Sequence, residues 1–229
     1  MPCHDFFCGN RPRKVVAVMI EIRHRETGEV LLQIDADSLQ GQKMAALRLR
    51  GADFSDMDLS DADLSNSDLR EADFRRVVGT RTLFRSATLR GALFIEANLV
   101  EANFTDALME NSKLRDASFT NSTFRYAKIV DADLTGVNLT GSDMSVAELR
   151  SNLNNANLTQ ADLRGADLTG ANLTGANLSM ANMFDAKIAD ANLTRVKMEG
   201  ATGPHGQRLG AGSTALRKST RKWWQFWAS

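Results

Sequence analysis

The stretch that decides the fold is Gly51-Ala52-Asp53-Phe54-Ser55-Asp56-Met57-Asp58-Leu59-Ser60-Asp61-Ala62-Asp63-Leu64. A large apolar residue recurs at every fifth position, and the frame extends outward through Leu69 and Phe74. It lapses once, at Gly79, and resumes at Phe84, Leu89, Phe94, Leu99 and Phe104, continuing to Leu149. There it slips by one residue, and Leu153, Leu158, Leu163 and their successors carry it to Met198. About 31 units obey the pattern, far more than chance allows for one period. A period of five fits neither the 3.6 of an α-helix nor the 2 of a flat strand.

The positions around each centre are also constrained. Two residues before it stands a small residue, as in Ala52, Ala62, Ala72, Ala97 and Ala166, with Ser67, Ser112, Ser122 and Ser142 as substitutes. Asp or Asn usually separates the small residue from the centre, and the other two positions are mostly polar or Gly. One large and one small side chain per unit can both point into a narrow tube, and Ala avoids an overpacking cost of about 1–3 kcal/mol per site.

Over residues 45–201 the chain resembles the pentapeptide-repeat family. That resemblance implies an all-β, right-handed quadrilateral parallel β-helix, with one unit per side and four units per coil. The right hand agrees with the preference of parallel crossovers. At a coil spacing near 4.8 Å, the units make about 7–8 coils and a rod of roughly 35–40 Å. Residues twenty apart should then stack. Phe54, Phe74 and Phe94 are so spaced, as are Phe84, Phe104 and Phe124, and most Phe falls in the first half, which is expected to be the stiffer.

The pattern fails in two places. At Gly79 the centre is empty and Val77 takes the small position, which reads as a distorted coil that keeps its frame. At Arg150-Ser151-Asn152 one unit is a residue short, which reads as a bent corner.

Outside the repeat, residues 1–13 are expected to be disordered, and 14–44 to form a β-hairpin and an imperfect lead-in coil capping the solenoid. Val16, Val18, Ile20 and Ile22 share one strand face, Glu26-Thr27-Gly28-Glu29 reads as a turn, and residues 30–34 form the second strand. Leu39 and Met44 are already in frame, behind Asp37 and Gln42 at the small position. Residues 202–213 read as a Gly-rich linker. Residues 214–229 form a basic, aromatic segment, a tail or short helix in which Leu216, Thr220, Trp223 and Trp227 share a face.

The chain has 28 basic and 28 acidic residues, so it lacks the excess of a general nucleic-acid binder, and no direct nucleic-acid binding is expected. The only apolar run near the N-terminus, 15–20, is too short for a signal peptide or span, and a cytoplasmic location is expected. Cys3, His4 and Cys8 make one Cys-His-x-x-x-Cys group with no second ligand pair, so no metal site is assigned. His24 and His205 also lie outside the repeat. No phosphate loop, nucleophile elbow or two-His motif occurs, and the regular Asp positions read as turn-satisfying groups. The chain is therefore read as a non-enzymatic scaffold without cofactors, binding another protein.

Charge is uneven. Residues 45–200 carry about five more acidic than basic side chains, while 201–229 carry five basic and no acidic ones. This leaves two candidate interaction surfaces. One is the arginine-rich stretch with Arg75, Arg76, Arg81 and Arg85. The other is the tail, with Arg217, Lys218, Arg221, Lys222, Trp223, Trp224, Phe226 and Trp227, which suits a cap, a docked partner or an anionic membrane surface. The resemblance adds two implications. Some family members mimic duplex DNA and bind DNA gyrase, though with more acidic rods, and members often dimerise through the C-terminal end.

Overall fold

The structure is a computed structural model and describes residues 19–209 of the 229. From Lys43 to Thr202 it is built on one parallel ladder. Lys43 bridges Asp63, Arg48 bridges Asp68, Asp53 bridges Asp73 and Asp58 bridges Val78, and the series continues every five residues to Asn182 with Thr202. Partners twenty residues apart, stepping by five, define four sides. The first side holds the centres Leu49, Leu69 and Leu89, the second Phe54, Phe74 and Phe94, the third Leu59, Gly79 and Leu99, and the fourth Leu64, Phe84 and Phe104. No helix occurs among the described residues, so none there is long and apolar enough to cross a membrane.

Each side repeats the same bonds. The N–H of Leu64 donates to the carbonyl of Leu83 at 2.8 Å in the next coil, and the N–H of Asp63 donates to Gln42 at 2.9 Å in the previous one. The corner is a four-residue turn, Leu59-Ser60-Asp61-Ala62, closed by Ala62 N–H to Leu59 C=O at 2.9 Å. Asp61, its third residue, has φ of 60°, the signature of a type II turn, which normally calls for Gly or Asn there. Here the position also holds Arg76, Tyr126, Val146 and Met180, all left-handed. The strain is held by the ladder: Asp61 N–H donates to Thr80 C=O at 2.9 Å, so leaving the conformation would break a bond between coils. The Asp and Asn before each centre serve the turn as expected. Ser65 N–H donates to Asp63 Oδ1 at 3.0 Å, and Thr140 N–H to Asn138 Oδ1 at 3.2 Å.

The inward pair of every unit fills the tube. The Leu, Phe and Met centres and the Ala residues between them form one buried cluster, with Ile22, Leu39 and Met44 at its start. The expected aromatic columns are present. Phe54, Phe74 and Phe94 stack at 5.1 and 4.8 Å on the second side, and Phe84, Phe104 and Phe124 at 4.8 Å on the fourth. The columns meet edge to face across the tube, as Phe74 and Phe84 do at 5.4 Å.

At Gly79 the frame is kept, but the expected distortion does not extend to the ladder. Leu59 N–H reaches Val78 C=O at 2.7 Å and Gly79 N–H reaches Asn98 C=O at 2.9 Å. A Cβ on Gly79 would lie 2.5 Å from Leu99 Cδ2 and 2.6 Å from Thr82 Oγ1. The bulk missing at the centre is supplied by Val77, Thr82 and Leu99, all buried.

At the slip the ladder absorbs the lost residue as one short coil. The step falls to nineteen from Asp133–Asn152 to Glu148–Asp167 and returns to twenty at Asn152–Asn172. Leu149 and Leu153 stay fully buried. Ser151 repairs the neighbouring corner: its hydroxyl donates to Ile129 C=O at 2.6 Å and accepts the Ala132 N–H at 3.0 Å.

Two strands precede the ladder, β1 (Met19–Arg23) and β2 (Val30–Asp35), paired antiparallel with a bulge at Ile22/Arg23. Ile22 is fully buried, and the hairpin joins the first coil through Asp53 N–H to Arg23 C=O and Arg25 N–H to Gly51 C=O, both 2.8 Å. Gly51 leaves room there for the His24 ring. Its φ is +67°, and a Cβ would lie 2.3 Å from His24 Nε2. Within the expected linker, residues 202–209 are instead tied to the last coil: Thr202 bridges Arg208, and Leu209 exchanges 2.7 Å bonds with Gly200 and Ala201.

Candidate interaction surface

Side chains flanking each centre point outward in columns spaced by one coil, and the columns sort the charges. Arg75 lies on the second side, Arg76 at its following corner, Arg81 at the corner after the third side and Arg85 on the fourth. The stretch therefore winds around the rod, and its four arginines do not meet in one patch. Three of them are matched by carboxylates. Arg76 Nε donates to Asp56 Oδ1 at 2.7 Å and Arg81 Nε to Asp61 Oδ1 at 2.8 Å, each one coil back. Arg75 Nε donates to Asp73 at 2.9 Å, where the carboxylate is buried. Arg76 holds the Asp56 carboxyl below its usual range by hydrogen bonding, and Arg70 does the same to Asp68. Asp63 is also lowered, first by its bond with Ser65, with Lys43 and Arg85 adding through their charge. The tail candidates Arg217, Lys218, Arg221, Lys222, Trp223, Trp224, Phe226 and Trp227, and the Cys3, His4 and Cys8 group, lie outside the described residues.

A different surface emerges on the fourth side of the later coils. Tyr126, Val146 and Phe184 are all exposed, at 49%, 51% and 45%. Tyr126 and Val146 follow their centres by two residues in adjacent coils, and Phe184 stands on the same side two coils beyond Val146, in the row of Arg164. Val146 lies one coil after Tyr126, a Cβ on Gly165 would sit 3.7 Å from Val146, and a Cβ on Gly206 would sit 3.5 Å from the Phe184 ring. Two guanidiniums flank these side chains. Arg125 stands 5.6 Å from the Tyr126 ring centre and 3.8 Å from Asp143, and Arg164 Nε donates to Asp162 at 2.9 Å. Burial works to raise the Asp162 carboxyl, but its hydrogen bonds with Arg164 outweigh it and the group titrates low. At the other end of the rod, Arg25, Glu26, Asp53, Asp73, Arg75 and Leu93 line an open cleft of about 320 Å³ between the hairpin turn and the second side. Most of its charges already pair, Arg75 with Asp73 and Arg25 with Glu26 at 3.3 Å, while Asp53 accepts from Ser55. No group of His, Cys, Asp and Glu among the described residues is arranged to hold a metal ion.

The family model for pentapeptide repeats matches eight copies, over residues 45–77, 80–116, 102–141 and 151–188. The chain belongs to the pentapeptide repeat family. It thereby takes the family's right-handed quadrilateral β-helix, and its own ladder displays the four-sided, twenty-residue parallel coil. Solved structures similar to it include HetL, a pentapeptide repeat protein involved in heterocyst differentiation regulation from the cyanobacterium Nostoc sp. strain PCC 7120. HetL is 26% identical over 75% of this chain and 89% of its own, with a TM-score of 0.31. A trypsin-treated form of QnrB1, a plasmid-mediated fluoroquinolone resistance protein, is 21% identical over 80% and 90%, with a TM-score of 0.38. A pentapeptide repeat protein from the Arabidopsis thaliana thylakoid lumen is 26% identical over 62% and 68%, with a TM-score of 0.14. No curated protein matches the chain.

Sequence reasoning did not find the surface of Tyr126, Val146 and Phe184. A signal was present: each occupies one of the two positions after a centre, which are otherwise mostly polar, and Val146 follows Tyr126 by twenty. Reading outward columns by the same period as the core exposes it.

Proposed function

We propose that this protein is a non-enzymatic, cytoplasmic scaffold that binds another protein through the fourth side of its later coils. The division into a hairpin cap, a rod of about 7–8 coils and a basic aromatic end belongs to this reading. The observation that carries it is the exposure of Tyr126, Val146 and Phe184 on one side of the rod beside Arg125 and Arg164, where three of the six exposed large apolar residues among the described ones gather. Aromatic and arginine side chains are the residues that most often anchor protein interfaces. The rod presents them on a bonded backbone, so little ordering entropy is lost on binding. The test is crosslinking of the full chain in its native cell extract, compared with Tyr126→Ser/Phe184→Ser. Partners crosslinked equally to both sink the reading; partners lost with the double variant support it.

The competing reading is a DNA mimic directed at DNA gyrase. Such a mimic needs free carboxylates in register, whereas Asp56, Asp61, Asp68 and Asp73 are engaged by Arg76, Arg81, Arg70 and Arg75. A supercoiling assay with purified gyrase decides it: neither inhibition nor protection at micromolar protein removes that reading. A membrane role for the tail is tested by liposome flotation of the full chain against a chain ending at Gly212, and equal flotation removes it.

A further inference from the structure

The two ends of the ladder are finished differently. At the start, the hairpin lies over the first coil, with Ile20, Leu31, Leu32 and Ile34 packed on the core. At the other end the chain doubles back over residues 202–209 and closes only part of the last coil, through Asp185 N–H to Pro204 C=O at 2.8 Å and the Leu209 bonds. Among the described residues nothing comparable closes the other sides. In the coil below, Leu168, Leu173 and Leu178 are fully buried, and their N–H groups donate to Lys187, Asn192 and Lys197. In the last coil, Ile188, Ala191, Val196 and Met198 are only partly buried. Among the described residues, no backbone acceptor meets the N–H groups of Ile188, Leu193 and Met198. This is an unpaired sheet edge surrounding an apolar floor, which a solenoid must cover.

We propose that residues 210–229 of the same chain cover it, seating their tryptophans on Ile188, Val196 and Met198. The chain leaves the described structure at this rim, since Leu209 is bonded to Gly200 and Ala201 and packs on the core. The remaining twenty residues equal one coil in length and carry Leu216, Phe226 and every tryptophan of the protein. A segment tethered at the rim meets the end at a millimolar effective concentration, well above that of a second copy in dilute solution. The rim carries Asp190 and Glu199 beside Arg195 and Lys197, so the contact is apolar and insensitive to salt.

Because Trp223, Trp224 and Trp227 are the only tryptophans, intrinsic fluorescence reports this contact alone. The full chain should emit to the blue of a solvated tryptophan, unchanged on dilution and in high salt. Met198→Lys and Ile188→Lys should shift the emission red and raise acrylamide quenching several-fold while far-UV circular dichroism stays constant. A second measurement covers the case in which those variants unfold. Amide exchange at Ile188, Leu193 and Met198 should be slow in the full chain and several-fold faster in full-length Trp223→Ser/Trp224→Ser/Trp227→Ser. Solvated emission in the unaltered chain, or exchange unaffected by the serine variant, overturns the proposal. So does a blue shift that grows with concentration alongside a dimer in sedimentation, because a second copy is then the occupant.

Discussion

The coils before Ser151 and those after it share one backbone and differ in what fills and tiles it. Before the slip the tube holds every buried Phe of the described residues, six of them in two facing columns and Phe119 edge to face with both, and arginines on the outside grip carboxylates one coil away. After it the core is Leu, Met, Ile and Ala, and the outer rows are largely neutral. There Asn side chains pair between coils, as Asn172 Nδ2 donates to Asn152 Oδ1 at 3.0 Å and Asn177 Nδ2 to Thr159 Oγ1 at 2.9 Å. The same ladder is thus reinforced by charge in one half and by amide and hydroxyl bonds in the other. The exposed apolar side chains of the fourth side straddle the slip, Tyr126 and Val146 before it and Phe184 after it.

The largest effect should be common to both halves. Leu99→Asp and Leu178→Asp each place a carboxylate in the closed core of the third side, at a cost of about 4 kcal/mol or more. Loss of the β-helix signal in circular dichroism checks both, and a folded Leu178→Asp chain would show the later core to be the looser. Next, Phe104→Ala removes the middle ring of a stack and should cost about 3–5 kcal/mol. Leu163→Ala, on the same side after the slip, should cost about 1 kcal/mol less, because no ring stacking is lost with it. Equal melting temperatures for the two would break the comparison. Ser151→Ala should then cost about 1–3 kcal/mol, since Ala132 N–H and Ile129 C=O lose their shared hydroxyl inside the rod. Ser151→Thr and Ser151→Cys separate the contribution of the hydroxyl from that of volume.

The smallest effect is a response to acid. Asp56, Asp58, Asp63, Asp68 and Asp133 titrate below their ordinary range before the slip, but only Asp162 and Asp167 after it. A lowered folded-state pKa gives stability that is complete above the unfolded value of about 4 and is lost as pH falls through the folded one. Amide exchange should therefore quicken in the coils before the slip first as pH drops below about 4. These groups lie close to solvent, so the shift in melting temperature should be modest. Uniform loosening along the rod would contradict the charge difference between the halves.

Much of this was legible in residue order. Leu, Phe and Ala positions, the twenty-residue stacking of Phe54 with Phe74 and the turn role of Asp63 arise from a short period repeated many times. Each unit meets nearly the same surroundings, so local pattern and environment coincide. The candidate surface was less legible. Arg75, Arg76, Arg81 and Arg85 look like a cluster along the chain, but successive units occupy successive sides, so sequence neighbours diverge and residues twenty apart meet. The same geometry hid Tyr126, Val146 and Phe184, which are far apart in sequence and share one side of the rod.

The sequence alone thus determined the five-residue period, the inward pair in each unit and the location of the slip, because these depend on the size and polarity of single side chains. Only the tertiary structure decided which charges neutralise each other and how Val77, Thr82 and Leu99 fill the space over Gly79. It also decided that left-handed corners accept Arg76 and Val146, and that no backbone acceptor among the described residues meets the N–H groups of Ile188, Leu193 and Met198. Each of those outcomes depends on the neighbouring coil, about twenty residues away, and no reading of one unit contains it.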